Sequence, residues 1–322
     1  MKLHKLLVLK TLFLGFLSQG MVLRAAIDPA PLLFSQRAVI FDASKSEAVV
    51  SKNAHVVTPI ASITKLMTAM VVLDAKQDLS ERLRIDIEDF DYLKGSKSRL
   101  GMGSELTRQE MLELALMSSE NRAAHALGRF YPGGLAAAVA AMNAKASALG
   151  MPHTRFVDPT GLSAQNVSTA AELVTLVTAA EQYPLIREMS TREAQAVHVE
   201  GTGANLQYVN SNVLVKNPDW QITLQKTGYI AEAGKCVVLS TLVAGKKFIM
   251  VLLDSAGKFS RIGDAQRVRH WLTTGEALPL PKPEIKKIKQ GKRSKVAKNK
   301  GFKKSKYSPA GKKNKSRKIK KN

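Results

Sequence analysis

The chain has 322 residues, 45% of them hydrophobic, which excludes wholesale disorder and leaves room for one large domain or two modest ones. Its formal charge of +23 is concentrated: residues 282–322 hold 19 of the 49 Lys and Arg and one acid, Glu284, so the rest is close to neutral. One cysteine, Cys236, excludes an internal disulfide framework and a cysteine-rich metal site, and six scattered histidines form no metal-binding pair.

In chain order, Lys2, His4 and Lys5 precede an apolar stretch, LLVLKTLFLGFL and MVL, which ends at Arg24, Ala25 and Ala26. Lys10 interrupts it, so a membrane-spanning helix of about 20 apolar residues fits poorly. The pattern predicts a cleaved export signal over 1–26, with an uncleaved interfacial anchor as the alternative. A foldable domain over 27–281 follows. Ala38–Phe41 and Glu47–Val50 are β-prone runs around the polar segment DASKSE and read as a hairpin. Ser62 opens SITKLMTAMVVLDA, apolar nearly all round and therefore a buried helix. TRQE at Thr107–Glu110 and TAAE at Thr169–Glu172 match capping boxes, and LAAAVAAMNAKASALG ends on Gly150, a suitable helix-terminating glycine. From about Ala196 the period changes, and WQITLQKTGYI, KCVVLSTLVAG and KKFIMVLLDSAG read as successive strands before a last helix, IGDAQRVRHWLTTG. Strands at both ends with helices between them, over about 62–190, predict an α+β domain with an antiparallel sheet and a helical insertion lobe. The basic segment 282–322 is too poor in apolar residues to offset its ordering entropy and is expected to be disordered.

Three short motifs carry chemistry: S-x-x-K at Ser62–Lys65, S-x-N at Ser119–Asn121 and K-T-G at Lys226–Gly228. Singly they are weak, since S-x-x-K recurs at Ser255–Lys258 and S-x-N at Ser51–Asn53; order and context carry the signal. Lys65 lies one helical turn beyond Ser62 on the same face. A serine hydroxyl needs a base to become a nucleophile, and a lysine can be that base if burial and nearby positive charge lower its pKa. Ser119 and Asn121 fall between two predicted helices, where they can face a cleft or simply cap a helix. Lys226 and Thr227 end a strand with a glycine that admits close backbone approach, beside an edge able to pair with an extended peptide.

The three motifs in this order are the signature of penicillin-binding proteins and class A β-lactamases, with Glu120 at the variable middle position. PIASITKLMTAMVVLDA, LALMSSENRAA, YPGG, MNAKA and TRFVDPTGLSAQNVSTAAEL extend the resemblance to the serine D-alanyl-D-alanine peptidases, over roughly Ala38 to Gly275. Within these the chain is most similar to the endopeptidase subgroup of low-molecular-mass penicillin-binding proteins, the penicillin-binding protein 7 group. The resemblance implies a β-lactamase/DD-peptidase-like fold, with Ser62 as acylated nucleophile, Lys65 as general base and Ser119 as proton relay. It further implies that Asn121 holds the substrate amide, that Lys226 and Thr227 bind substrate or a β-lactam carboxylate, and that the backbone N–H groups of Ser62 and Tyr229 form the oxyanion hole beside Gly228. Peptidoglycan is the implied substrate, β-lactam antibiotics are implied covalent inhibitors, and the periplasm is the implied location. No metal or cofactor is implied. The carboxypeptidase branch carries a second, β-rich domain, for which little foldable chain follows Lys258, so cross-link hydrolysis is expected ahead of carboxypeptidase action.

Other readings remain in play at this level. A class A β-lactamase needs a deacylating glutamate in an E-x-x-L-N segment, and Glu172 and Glu181 have no such context; Asp158 reads as a turn residue before Pro159. No G-x-S-x-G elbow supports a Ser-His-Asp triad. A non-catalytic binder of anionic polymers could act through the tail, toward an anionic wall or membrane surface; an exported protein is not expected to meet nucleic acid.

Overall fold

The β-prone runs at the two ends of the chain pair with each other in a computed structural model, which describes residues 30–257 and 260–279. The expected export signal, Lys258 and the basic tail lie outside the described residues. Strands β1 (Ser35–Asp42) and β2 (Glu47–Lys52) form the predicted hairpin, and β3 (Thr58–Pro59) leads to a 3-10 turn over Ala61–Ile63. Helix α1 (Thr64–Asp74), β4 (Arg82–Arg84), β5 (Glu105–Thr107), α2 (Arg108–Met117), α3 (Asn121–Arg129) and α4 (Gly134–Ala148) follow. Next come β6 (Val167–Ser168), α5 (Ala170–Ala180), α6 (Pro184–Thr191) and a hairpin of β7 (Ala194–Val199) and β8 (Ala204–Val209). The chain returns to the sheet with β9 (Gln221–Ile230), β10 (Gly234–Val243) and β11 (Lys246–Ser255), and α7 (Ser260–Thr274) closes the described part.

The main sheet is antiparallel in the order β2-β1-β11-β10-β9. Its central strands read as continuous apolar runs because both faces are covered. In one row Val39 pairs with Val251 and Val251 with Val238, all in the core shared with the helical lobe. In the next, Ile40, Met250 and Leu239 face the opposite way, against Ala265, Val268 and Trp271 of α7. A one-residue slip would exchange the two cores, so burial itself fixes the register.

Helix α1 is buried from Thr64 to Val72, as its all-round apolarity demands, and the other helices of the lobe pack around it. Thr107 and Glu110 satisfy each other's backbone N–H groups at the start of α2, as their spacing predicts. Thr169 caps α5, but Glu172 does not reach back to complete a box; its carboxylate accepts from the backbone and ring of His153 and from the Thr154 hydroxyl. Gly150 takes the left-handed conformation (φ 72°) just past α4. The β7–β8 hairpin, which the sequence signals only as a change of period, buries Val197, Val199 and Tyr208 beneath it.

Candidate active site

The site is built around a strained turn. Ala61 has φ 48°, an unusual conformation for a residue with a side chain, and its carbonyl accepts from the Thr64 hydroxyl at 2.8 Å. Two glycines press on this turn. A Cβ at Gly161 (φ 82°) would lie 2.0 Å from the Ala61 carbonyl oxygen and 2.9 Å from the Ser62 nitrogen. A Cβ at Gly228 of the K-T-G segment would lie 3.1 Å from Ile60 O, Ala61 Cβ and Ser62 N. Only bare backbone fits on both sides, and Ser62 is presented half-buried at the start of α1.

Lys65 is 1% exposed, and its Nζ donates to Ser62 Oγ at 2.9 Å, Asn121 Oδ1 at 2.7 Å and the Thr160 carbonyl at 2.6 Å. Those three contacts use the full donor capacity of an ammonium; a neutral amine would keep a lone pair for the serine proton. Burial pulls the Lys65 pKa down to about 7, against the opposing charges of Asp158 and Glu120. Burial, which the all-round apolarity of α1 supplies, is thus the dominant cause of the shift. Lys226 is pushed well below its ordinary value, first by burial and then by Lys65 and Arg261.

Asn121 opens α3 and is clamped at both ends of its amide, Oδ1 by Lys65 and Nδ2 donating to Ser96 Oγ at 2.9 Å. Ser119 sits in the α2–α3 connection in the left-handed region (φ 66°). Among the described residues no hydrogen bond joins Ser119 to Lys65 or Lys226, and Lys226 Nζ donates instead to the Thr227 carbonyl at 2.9 Å. The Thr227 hydroxyl donates to Ser211 Oγ at 2.7 Å, and Ser211 N–H is tied to the Met117 carbonyl. Lys226, Thr227 and Gly228 lie in the second half of β9 rather than at its end, and Tyr229 beyond them is 59% exposed with the Lys235 ammonium 4.2 Å from its ring centroid.

The sequence reading did not assign the loop that supplies the Thr160 carbonyl. Asp158 accepts from the backbone N–H groups of Thr160, Gly161 and Ser163 and from the Thr160 hydroxyl, a turn role as its place before Pro159 suggests. Asn166 Oδ1 holds the N–H groups of Val157 and Asp158, and the Thr68 hydroxyl holds the Pro159 carbonyl, which fastens the loop to α1. The D-P-T-G turn signal marks a turn but not its use. Ser96 and Ser211, single loop serines, carry no signal of their own. The duplicate motifs stand elsewhere: Asn53 follows the edge strand β2 and bonds the Gln36 carbonyl, and Ser255 ends β11 and bonds Ser260. A larger cavity of about 900 Å³ lies between α5 and the β1–β2–β11 side of the sheet; of the motif residues only Ser51, from the duplicate S-x-N, lines it. Among the described residues no three His, Cys, Asp or Glu side chains converge closely enough to hold a metal ion.

Comparison with known proteins gives the family. The D-alanyl-D-alanine carboxypeptidase family of serine peptidases (peptidase family S11) matches residues 25–257. A D-alanyl-D-alanine endopeptidase of Escherichia coli is 45% identical over 277 residues, 85% of this chain and 89% of that protein. One from Pseudomonas aeruginosa is 46% identical over 284 residues, 86% of this chain and 91% of its own. The crystal structure of penicillin-binding protein D2 from Listeria monocytogenes in its cefotaxime-bound form superposes with a TM-score of 0.66 at 28% identity, covering 76% of this chain and 98% of that one. With a family match over most of its length, Asn121 bonded to Lys65 and Gly228 packed on the Ser62 turn, the chain belongs to the D-alanyl-D-alanine carboxypeptidase family and is a serine DD-peptidase.

Proposed function

We propose that the protein is a periplasmic endopeptidase that hydrolyses D-alanyl cross-links of peptidoglycan through an acyl-enzyme on Ser62. The observation that carries this reading is the buried Lys65 amine 2.9 Å from Ser62 Oγ, with a pKa pulled down to about 7. Neutral Lys65 takes the Ser62 proton as Oγ attacks the D-alanyl carbonyl carbon. The resulting oxyanion is received by the backbone N–H groups of Ser62 and Tyr229, a role supported by the packing of Gly228, which precedes Tyr229, against the Ser62 turn. The proton passes to the leaving nitrogen by way of Ser119, the C–N bond breaks, and the amine departs. Water then attacks the ester, with Lys65 as base, and frees Ser62.

Asn121 holds the substrate amide on the acyl side. Thr227 binds the far side of the substrate, and a carboxylate entering there offsets the desolvation of Lys226 and favours its charged form. A β-lactam carboxylate uses the same groups. The two endopeptidases at 45% and 46% identity support cross-links as the preferred bond, with terminal D-alanine removal as the alternative activity. The predicted export signal supports the periplasmic location, and the 19 cations of residues 282–322 support a tether to anionic wall or membrane surfaces.

Covalent labelling by a fluorescent penicillin, followed by intact mass, tests the mechanism. Label is expected on wild type, none on Ser62→Ala, and slow loss once excess reagent is removed; fast loss would make the protein a β-lactamase. Absence of label on folded wild type would sink the acyl-enzyme reading. Digestion of cross-linked muropeptides then separates endopeptidase from carboxypeptidase action by its products.

A further inference from the structure

Among the described residues the Thr227 hydroxyl bonds to one partner, Ser211 Oγ at 2.7 Å. Thr227 is 4% exposed, and Ser211 belongs to no motif and takes no part in the steps above. Its position is nonetheless fixed from both sides.

Ser211 lies half-buried in the connection that follows β8, between the buried side chains of Asn210 and Asn212. The Asn210 amide donates to the carbonyls of Ser190 and Arg192 at 2.9 and 2.8 Å. Its Oδ1 accepts from the Asn212 N–H and from Gln225 Nε2, both at 2.9 Å. Gln225 is buried in β9, two residues before Thr227, so the strand that carries Thr227 also anchors the connection that carries Ser211. Ser211 donates its own N–H to the Met117 carbonyl at 2.9 Å, at the end of α2 and two residues before Ser119. These anchors hold Ser211 Oγ within reach of Thr227 and tie the K-T-G strand to the helical lobe.

A substrate carboxylate or carbonyl oxygen accepts hydrogen bonds and donates none. Thr227 binds it by turning its proton into the cleft, away from Ser211. The Thr227 oxygen, covered by substrate as well as by protein, then needs a donor of its own. A serine hydroxyl both donates and accepts, so Ser211 reverses its role and supplies that donor. Without it the Thr227 oxygen would be left unpaired in the complex, a cost that falls on binding.

We propose that Ser211 is a positioning residue: it completes Thr227 as a donor and so sets the affinity for the carboxylate or carbonyl that Thr227 holds, without touching the bond that breaks. The inference rests on the acyl-enzyme reading, in which Thr227 binds the far side of the substrate.

The test follows acylation of the full chain by benzylpenicillin, by intact mass over a range of concentrations, in wild type, Ser211→Ala, Thr227→Val and the double variant. The backbone anchor to Met117 is common to all four. Ser211→Ala is expected to lower the second-order acylation rate about tenfold, the size of one hydrogen bond left unmade, through weaker binding rather than a slower rate at saturation. Thr227→Val is expected to lose at least as much. Adding Ser211→Ala to it is expected to change the rate less than about twofold, because Ser211 acts through that hydroxyl alone. Ser211→Thr, which keeps a hydroxyl, is expected to restore most of the wild-type rate. A loss that adds in full on top of Thr227→Val would mark a merely structural role and overturn the proposal. So would an unchanged rate in Ser211→Ala, or a Ser211→Thr variant that melts with wild type but reacts as slowly as Ser211→Ala. Failure of wild type to be acylated would instead remove the acyl-enzyme reading beneath it.

Discussion

At the scale of single residues the protein turns on a lysine placed where lysines are unstable. By the proposed acyl-enzyme mechanism acylation needs Lys65 uncharged, so its rate is expected to rise as the pH passes upward through about 7 and then level off, measured as the pH profile of penicillin labelling. The same shift fixes a stability trend. Lys65 has a folded pKa of about 7 and an ordinary value of 10.5, so between these the unfolded chain binds a proton that the folded chain does not, and stability rises with pH across that window. Below about 7 the folded protein carries a buried charge. Lys65→Met removes it; the variant is expected to lose labelling and to gain more in melting temperature over wild type at pH 6 than at pH 9. A gain independent of pH would mean that burial does not set the Lys65 titration.

At the scale of elements, the turn bearing Ser62 depends on neighbours that have no room for a side chain. Gly161→Ala combines a left-handed backbone with overlap against the Ala61 carbonyl, and is expected to cost more than about 2 kcal/mol and to abolish labelling in the fraction that folds. Gly245→Ala, at φ 74° but with nothing within 4 Å of the new Cβ, is expected to cost only about 1 kcal/mol and to keep labelling. Urea melts and penicillin labelling of the two variants separate crowding from strain. These elements also show what a sequence discloses. The strands at both ends of the chain were legible because burial on two faces makes KCVVLSTLV and KKFIMVLLD continuous apolar runs. Ser62, Lys65 and Asn121 were legible because side chains carry their chemistry. The part played by Thr160 was not, since it offers Lys65 a backbone carbonyl, which every residue has. The β7–β8 hairpin escaped for another reason: AQAVHV buries only Val197 and Val199, too weak an alternation to stand out.

At the scale of the whole molecule, charge and catalysis occupy different parts of the chain. Deleting residues 282–322 is expected to leave penicillin labelling as it was and to weaken pelleting with purified sacculi, most visibly at low salt. Equal pelleting with and without the tail would count against the tether. The sheet has a further consequence. Strand β1 lies between β2 and β11, and Ser35 is fastened by its N–H and hydroxyl to Asp264, 229 positions further along the chain. The turn carrying Ser62 is likewise pressed by Gly161 and Gly228 from two later stretches. An early-made or shortened chain holds the serine and the lysine one turn apart but lacks the later glycines that press on their turn, and pairings of such long reach are slow to form. Penicillin labelling is therefore expected to begin only once β9 has set Gly228 against the Ser62 turn, late in the order of the fold.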